Sequence, residues 1–315
     1  MMEQKQLKAP GKLLDQDGNL TQAGWATQQV LDCNLENAHF YKLKFMQGMR
    51  MKVWDYYAVT TPTHFFSFTI SDVGYLGMVF AYVIEFATGK YEEQTLTLPF
   101  AAGVKLPRNS TSGESLYQGG GRTLRFLVEG SRRTLYVRWP GFGKTELNAE
   151  LEFTVAEEHE SLNIVIPIEV KRFYYNRKIN CMPAKGWVEY QGKRFEIEPA
   201  TCLGNLDWGR GVWAYESFWV WASASGFLKN HQTVGLNLGF GFGDTSAATE
   251  NCIILDGKIH KLGQVDFNYS NKDFKSPWSM KCPDGRLDLV FTPFFERVAK
   301  TDLNVLRSEV HQMFG

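Results

Sequence analysis

Four carboxylic acids stand beside aromatic and glycine-rich runs in the last third of the chain: Asp207, Glu216, Asp244 and Glu250. A carboxyl group in apolar surroundings keeps its proton to a higher pH than in water, which suits it to protonate an alkene or an enolate. Asp207 and Glu216 are the candidate proton donors. Arg210, Asn237, Asp244 and Glu250 are candidate polar contacts to a bound molecule. The same residues also allow a structural role without chemistry. In that case Asp207 and Arg210 form an ion pair while Asp244 and Thr249 shape turns, since buried carboxylates commonly hold loops by hydrogen bonds.

Two strands must position these groups. Between Val212 and Ser223, Trp213, Tyr215, Trp219 and Trp221 are expected to share one face, with Glu216 on the other. Between Val234 and Gly243, Val234, Leu236, Leu238, Phe240 and Phe242 alternate with Gly235, Asn237, Gly239, Gly241 and Gly243. Period-two alternation of this kind signals a strand. A glycine-lined face leaves room for a ring, another backbone or a ligand. The expectation is a cavity walled by Trp213, Tyr215, Trp219, Trp221 and Phe240, with polar contacts from Asn237 and the Asp207/Arg210 block. A packed core, in which rings cover the facing glycines, is the alternative.

Strands dominate the rest of the chain. Leu147, Ala149, Leu151, Phe153 and Val155 alternate with polar residues, and Leu162, Ile164, Ile166, Ile168 and Val170 repeat the pattern. Thr21 to Leu31 is one of few helical candidates. The 315 residues exceed the usual size of a single core. An all-β fold of two tandem antiparallel β-barrels or strongly curved sheets is therefore expected. The division is placed near residue 170, before Lys171-Arg172-Phe173-Tyr174-Tyr175, giving units 1–170 and 171–315.

Composition excludes several functions. Thirty-four basic residues balance 34 acidic ones, so no basic field draws nucleic acid or an anionic membrane. The five cysteines are scattered without a C-x-x-C pair, and the six histidines are dispersed, so neither a metal nor a disulfide framework is expected. Gly141-Phe142-Gly143-Lys144-Thr145 lacks the first glycine of a phosphate-binding loop and leads into a strand where a helix is needed. No cofactor motif is left. The polar N-terminus and the absence of a long apolar run give a cytoplasmic protein with no integral membrane segment as the expectation.

Several blocks resemble a bacterial family known only as a domain of unknown function: Trp54-Asp55-Tyr56-Tyr57, Ile179-Asn180-Cys181-Met182-Pro183-Ala184, Leu206-Asp207-Trp208-Gly209-Arg210-Gly211-Val212-Trp213, Gly241-Phe242-Gly243-Asp244 and Thr249-Glu250-Asn251. The resemblance runs over essentially the whole chain. More distantly, Phe173-Tyr174-Tyr175-Asn176-Arg177, the hairpin Gly186 to Ile197 and Asp207-Trp208-Gly209 are similar in order and spacing to the lipocalin-related carotenoid hydratases and tocopherol cyclase. Of that family's pattern only Asp207 carries over; its histidine is absent, and Trp208 and Arg210 stand there instead. The likeness implies tandem lipocalin-like barrels holding an apolar, isoprenoid or fatty molecule. It also implies relatives that continue past Gly315 with another hairpin, hence a chain truncated at its C-terminus. The leading functional expectation is a protein that binds a hydrophobic small molecule. A cofactor-free hydratase, cyclase or isomerase with Asp207 or Glu216 as proton donor is the second, and a structural or interaction protein with a filled interior is the third.

Overall fold

The computed structural model describes residues 4–302 and 307–315, apart from the side chains of residues 44 and 45. It is mostly β-sheet. Among the described residues helix is confined to two 3-10 segments, Leu35–Asn37 and Lys44–Arg50. The helix expected over Thr21 to Leu31 is not formed: Gly24–Ala26 is instead a short strand that pairs with Asn163, Ile164 and Val165.

One strongly curved, open sheet of fourteen strands makes up most of the molecule. Its organising element is the 19-residue strand Arg172–Tyr190. The first half of this strand pairs with Leu162–Glu169 and Leu203–Val212, the second half with Thr145–Thr154 and Lys193–Ile197. Between the halves the register slips at Ile179/Met182, and Cys181 adopts a φ of 59°. An extra residue of this kind bends a strand and turns its sheet. Two wings result. One runs from Leu203–Val212 through Met51–Thr60, His64–Asp72 and Leu76–Glu85 to Tyr91–Pro99. The other runs from Thr145–Thr154 through Arg132–Phe142, Arg122–Glu129 and Gly113–Gly119 to Val104–Lys105.

The inner faces of the wings meet in a continuous core. Tyr57 of the first wing packs against Phe126 and Phe153 of the second, with ring centroids 5.2 and 5.9 Å apart. The alternating run Leu147, Ala149, Leu151 and Phe153 is buried in this core, as its period implies. Its members extend from Leu7 to Val212. The division expected near residue 170 falls in the hairpin between Leu162–Glu169 and Arg172–Tyr190.

After Val212 the chain builds smaller sheets. Val220–Phe227, Thr233–Phe240, Cys252–Leu255 and Lys258–Lys261 form one, and Asp266–Asn268, Trp278–Lys281 and Asp288–Phe291 another. Phe295–Asp302 and Arg307–Phe314 form a hairpin. The sequence predicts a strand over Asn304 to Phe314; its part Arg307–Phe314 is a strand, and residues 304–306 lie outside the described residues. A small core of Leu238, Leu262, Val265, Met280 and Cys282 joins the first two sheets. The second closed barrel is not formed among the described residues. Five of these strands have only three or four residues, too few to wrap a common interior.

The four-stranded sheet is fastened to the bend of the long strand. The Asn180 amide reaches Ser223 Oγ at 2.8 Å, the Ala224 carbonyl at 3.1 Å and the Leu236 carbonyl at 3.2 Å. The Cys181 N–H donates to Ser225 Oγ at 3.0 Å. Removing the amide strands buried acceptors, so Asn180→Ala is expected to lower stability by about 1–3 kcal/mol. Hydrogen exchange checks the location of the effect: amides of Val220–Phe227 speed up while those of Thr145–Thr154 do not. Uniform acceleration would contradict a local clamp.

Candidate functional site

Side-chain alternation places one group of residues on the outer face of the first wing. Tyr174, Asn176 and Lys178 point there, while Phe173, Tyr175 and Ile179 enter the main core. In the neighbouring strand Asp207, Gly209 and Gly211 share that outer face, and Trp208 and Val212 point inward. Register brings Lys178 opposite Asp207 and Asn176 opposite Gly209, with Trp54 on the far side of Gly209. A methyl group at Gly209 would overlap the Trp54 indole, so only glycine lets that ring lie flat across the strand. Trp54 Nε1 then donates to Asp207 Oδ1 at 3.1 Å, and Asn176 Nδ2 donates to the same oxygen at 2.7 Å. Lys178 Nζ pairs with Asp207 Oδ2 at 2.7 Å, the lysine side chain being 4% exposed.

The loop 213–219 and the four-stranded sheet form the roof. Trp213 meets Trp54 edge-on at 5.6 Å and Phe242 at 4.8 Å, and Trp219 meets Trp213 at 5.6 Å. The Trp221 ring covers Lys178 Nζ at 4.1 Å. Its Nε1 donates to Asn237 Oδ1 at 2.7 Å, and Asn237 Nδ2 donates to the Glu250 carbonyl at 2.7 Å. The Glu250 side chain lies over Gly239, where a methyl group would overlap it. Between floor and roof is a cavity of about 180 Å³, lined by Trp54, Tyr174, Lys178, Asp207, Trp213, Trp219, Trp221, Phe242 and Glu250.

Glu250 is 6% exposed. Burial pushes its carboxyl pKa up; Lys178 and the Asn237 amide pull part of this back, and the charge of Asp207 adds to it. Burial, followed by the charges of Asp207 and Glu250, raises the Tyr174 phenol well above its ordinary value. The wall therefore combines a carboxyl group whose pKa is raised by burial with a carboxylate paired to a cation. A larger surface depression of about 430 Å³ lies on the outer face of the other wing, lined by residues that include Arg125, Tyr136, Glu152 and Lys185. There Lys185 pairs with Glu152 at 2.9 Å, the lysine side chain being 58% exposed.

The structure brings Asp207, Trp213, Trp219, Trp221 and Glu250 into one wall and sets Asn237 directly behind it. The other candidates lie elsewhere. The strand expected from Val212 to Ser223 is interrupted, because residues 213–219 leave the sheet as a loop. On that loop Glu216 is exposed, and Tyr215 is 73% exposed with the Arg50 guanidinium 3.8 Å from its ring. Arg210 is 1% exposed on the inner face of its strand, paired with Asp55 at 2.9 Å rather than with Asp207. Phe240 turns away to pack on Phe267 at 5.1 Å. Gly241, at a φ of 89°, breaks the alternation, so Phe242 and not Phe240 enters the wall. Asp244 is exposed in a turn and accepts the Ser246 N–H at 2.9 Å.

The glycine ribbon is not the empty space. A methyl group at Gly235 would come within 2.7 Å of Cys181 Sγ, and one at Gly241 within 2.9 Å of the Phe218 ring. Trp54, Tyr174 and Lys178 are the wall residues that sequence reasoning did not select. For Tyr174 and Lys178 the signal was a lysine and an asparagine alternating with tyrosine in Tyr174-Tyr175-Asn176-Arg177-Lys178. Among the described residues no cluster of three or more His, Cys, Asp or Glu is placed to hold a metal ion, and no helix is long and apolar enough to cross a membrane.

The chain matches the family described as a domain of unknown function, DUF2804, over residues 4–315, and it belongs to that family. Two solved structures resemble it distantly. One is described as AttH, from Nitrosomonas europaea, with a TM-score of 0.45 and 13% identity, covering 88% of this chain and 92% of that one. The other is kievitone hydratase from Nectria haematococca, with a TM-score of 0.47 and 11% identity, covering 77% of this chain and 75% of that one.

The ion pair at the cavity floor is expected to behave as a buried one. Lys178→Met leaves Asp207 without its cation and should cost about 3–5 kcal/mol in urea denaturation. Adding Asp207→Asn should recover much of that loss. Additive losses in the double variant would show that the two groups do not couple.

Proposed function

We propose that this DUF2804 chain is a cofactor-independent enzyme that adds water to, removes it from, or shifts a carbon–carbon double bond in a small apolar molecule. The observation that carries this reading is the Glu250 carboxyl, buried in an aromatic wall and raised in pKa, across the same cavity from the Asp207–Lys178 pair. Pairs of titratable groups held in opposite protonation states are the usual way one site performs acid and base steps together.

In the addition direction Glu250 gives its proton to one carbon of the double bond. The other carbon takes the oxygen of water, and Asp207 takes the proton which that water releases. The three donors on Asp207 occupy Oδ1 twice and Oδ2 once, leaving a lone pair on Oδ2 for the water. Exchange with solvent then returns a proton to Glu250 and removes one from Asp207. If Asp207 takes a carbon-bound proton instead, the double bond migrates. The faces of Trp54, Trp213, Trp219 and Trp221 suit positive charge developing on carbon, as the Trp221 ring already does for Lys178 Nζ.

The size of the cavity narrows the molecule. A dry cavity of roughly 150 Å³ accommodates benzene, so about 180 Å³ takes a single ring or the end of a longer chain. An entire fatty or isoprenoid chain would have to extend past Trp219, which is partly exposed. A carrier role for such a molecule is the second reading, supported by the same apolar wall.

Two measurements test the assignment. Ring-sized alkenes and enones incubated with the protein in D2O should gain deuterium at carbon, and Glu250→Gln or Asp207→Asn should abolish the gain. Incorporation unchanged in both variants rejects the acid–base role. The second is stability against pH. Glu250 binds its proton more tightly folded than unfolded, so its contribution is complete below the ordinary value of 4.5 and is lost as pH rises through the raised folded value. The Tm of Glu250→Gln relative to wild type should therefore climb with pH above about 4.5 and then level off. A difference that does not depend on pH would show an unperturbed carboxyl.

A further inference from the structure

Most polar groups of the cavity wall already have partners, the buried Trp213 indole N–H being one that does not. Asp207 is held by Trp54, Asn176 and Lys178, and Trp221 and Glu250 meet on Asn237. The Tyr174 hydroxyl has no hydrogen-bond partner among the described residues, although Tyr174 is only 6% exposed and lines the cavity. Buried phenols normally find a partner.

The ring that carries this hydroxyl is fixed. Trp54 stacks on it at 6.0 Å with planes 17° apart, and Phe242 meets it edge-on at 5.1 Å. Strand pairing sets it opposite Ile166 on one side and Gly211 on the other. A preset donor on a cavity wall that nothing in the protein uses is free to meet a ligand.

The acceptor it would meet can be narrowed by chemistry. A phenol this far from ionising donates and does not accept as an anion. The Glu250 carboxyl, whose pKa burial raises, lines the same space. A ligand hydroxyl would bring a proton that needs its own acceptor, and the acceptors open in the wall are Asp207 Oδ2 and the Glu250 carboxyl, both already engaged in the acid and base steps above. A carbonyl oxygen only accepts, and it leaves Asp207 to the water.

We propose that the cavity recognises a ring-sized ketone or aldehyde, with its carbonyl oxygen on the Tyr174 hydroxyl. The proposal deepens the functional reading above, because it rests on the same cavity being the ligand site. It makes an α,β-unsaturated carbonyl compound the substrate class, the carbonyl drawing electrons from the double bond that takes up water.

The test uses two probes of one shape, acetophenone and α-methylstyrene, which differ only in C=O against C=CH2. Both are titrated calorimetrically into the wild type and Tyr174→Phe. Phenylalanine keeps the ring between Trp54 and Phe242 and removes only the donor. The expected result is that acetophenone weakens about five- to ten-fold in the variant while α-methylstyrene stays within about two-fold. Equal changes for both probes, or none, would overturn the carbonyl assignment and leave the cavity as a ligand site. Failure of the wild type to bind either probe would overturn the cavity reading itself. Retained α-methylstyrene binding shows that the variant has folded with its cavity intact.

Discussion

The bend at Asn180 and Cys181 is the constraint from which the rest of the molecule follows. Up to Pro183 the long strand pairs with Leu203–Val212 of one wing, and from Ala184 it pairs with Thr145–Thr154 of the other. The turn closes the inner faces onto one core and leaves Tyr174, Asn176 and Lys178 on the outside of it. On an open sheet Lys178 and Asp207 would be a solvated ion pair, worth little. The same bend offers the Asn180 amide and the Cys181 N–H to the four-stranded sheet, which then covers that outer face. Burial of the charges and attachment of the roof thus have one cause.

The roof does not close solidly because its parts are flat rings. Trp213 contacts Trp54, Trp219 and Phe242 edge-to-face, with interplanar angles of 79°, 62° and 73°. Such contacts satisfy the ring quadrupoles but tile a curved surface poorly, and a volume of about 180 Å³ remains between them. Glycine does the opposite work. At Gly209 and Gly239 the missing side chain admits the Trp54 indole and the Glu250 chain to close contact with the backbone. Those two close approaches aim an indole N–H at Asp207 and a carboxyl into the cavity.

A buried acid beside a buried ion pair is an arrangement that stability alone does not favour. Desolvation raises Glu250, and the Lys178–Asp207 pair carries the cost of leaving water. Arg210 and Asp55 show the structural counterpart. Their pair lies inside the main core, and the guanidinium also donates to the carbonyls of Trp54 and Pro107, at 2.8 and 2.9 Å. Those hydrogen bonds tie Leu203–Val212 to Met51–Thr60 and to the chain at Pro107. At the cavity the Tyr174 hydroxyl makes no hydrogen bond within the described residues and stands on the wall of an open volume.

Much of this was legible in the residues themselves. Period-two alternation identified Thr145–Thr154, Leu162–Glu169 and Thr233–Phe240 as strands, because each must bury one set of side chains. It also told that Asn237 shares a face with the glycines; the ion pair expected between Asp207 and Arg210 is not formed, because residues three apart in a strand point to opposite faces. Alternation is silent about where a strand stops, however. Trp213 to Trp219 fits a strand pattern, yet it leaves the sheet because its rings find better partners in Trp54 and Phe242. Nor does any local pattern say which distant group will stand across the cavity. That Lys178 meets Asp207, and that Glu250 faces both, was decided by the register of strands far apart in the chain and by the bend that folds them together, since long-range pairing depends on how the whole sheet closes.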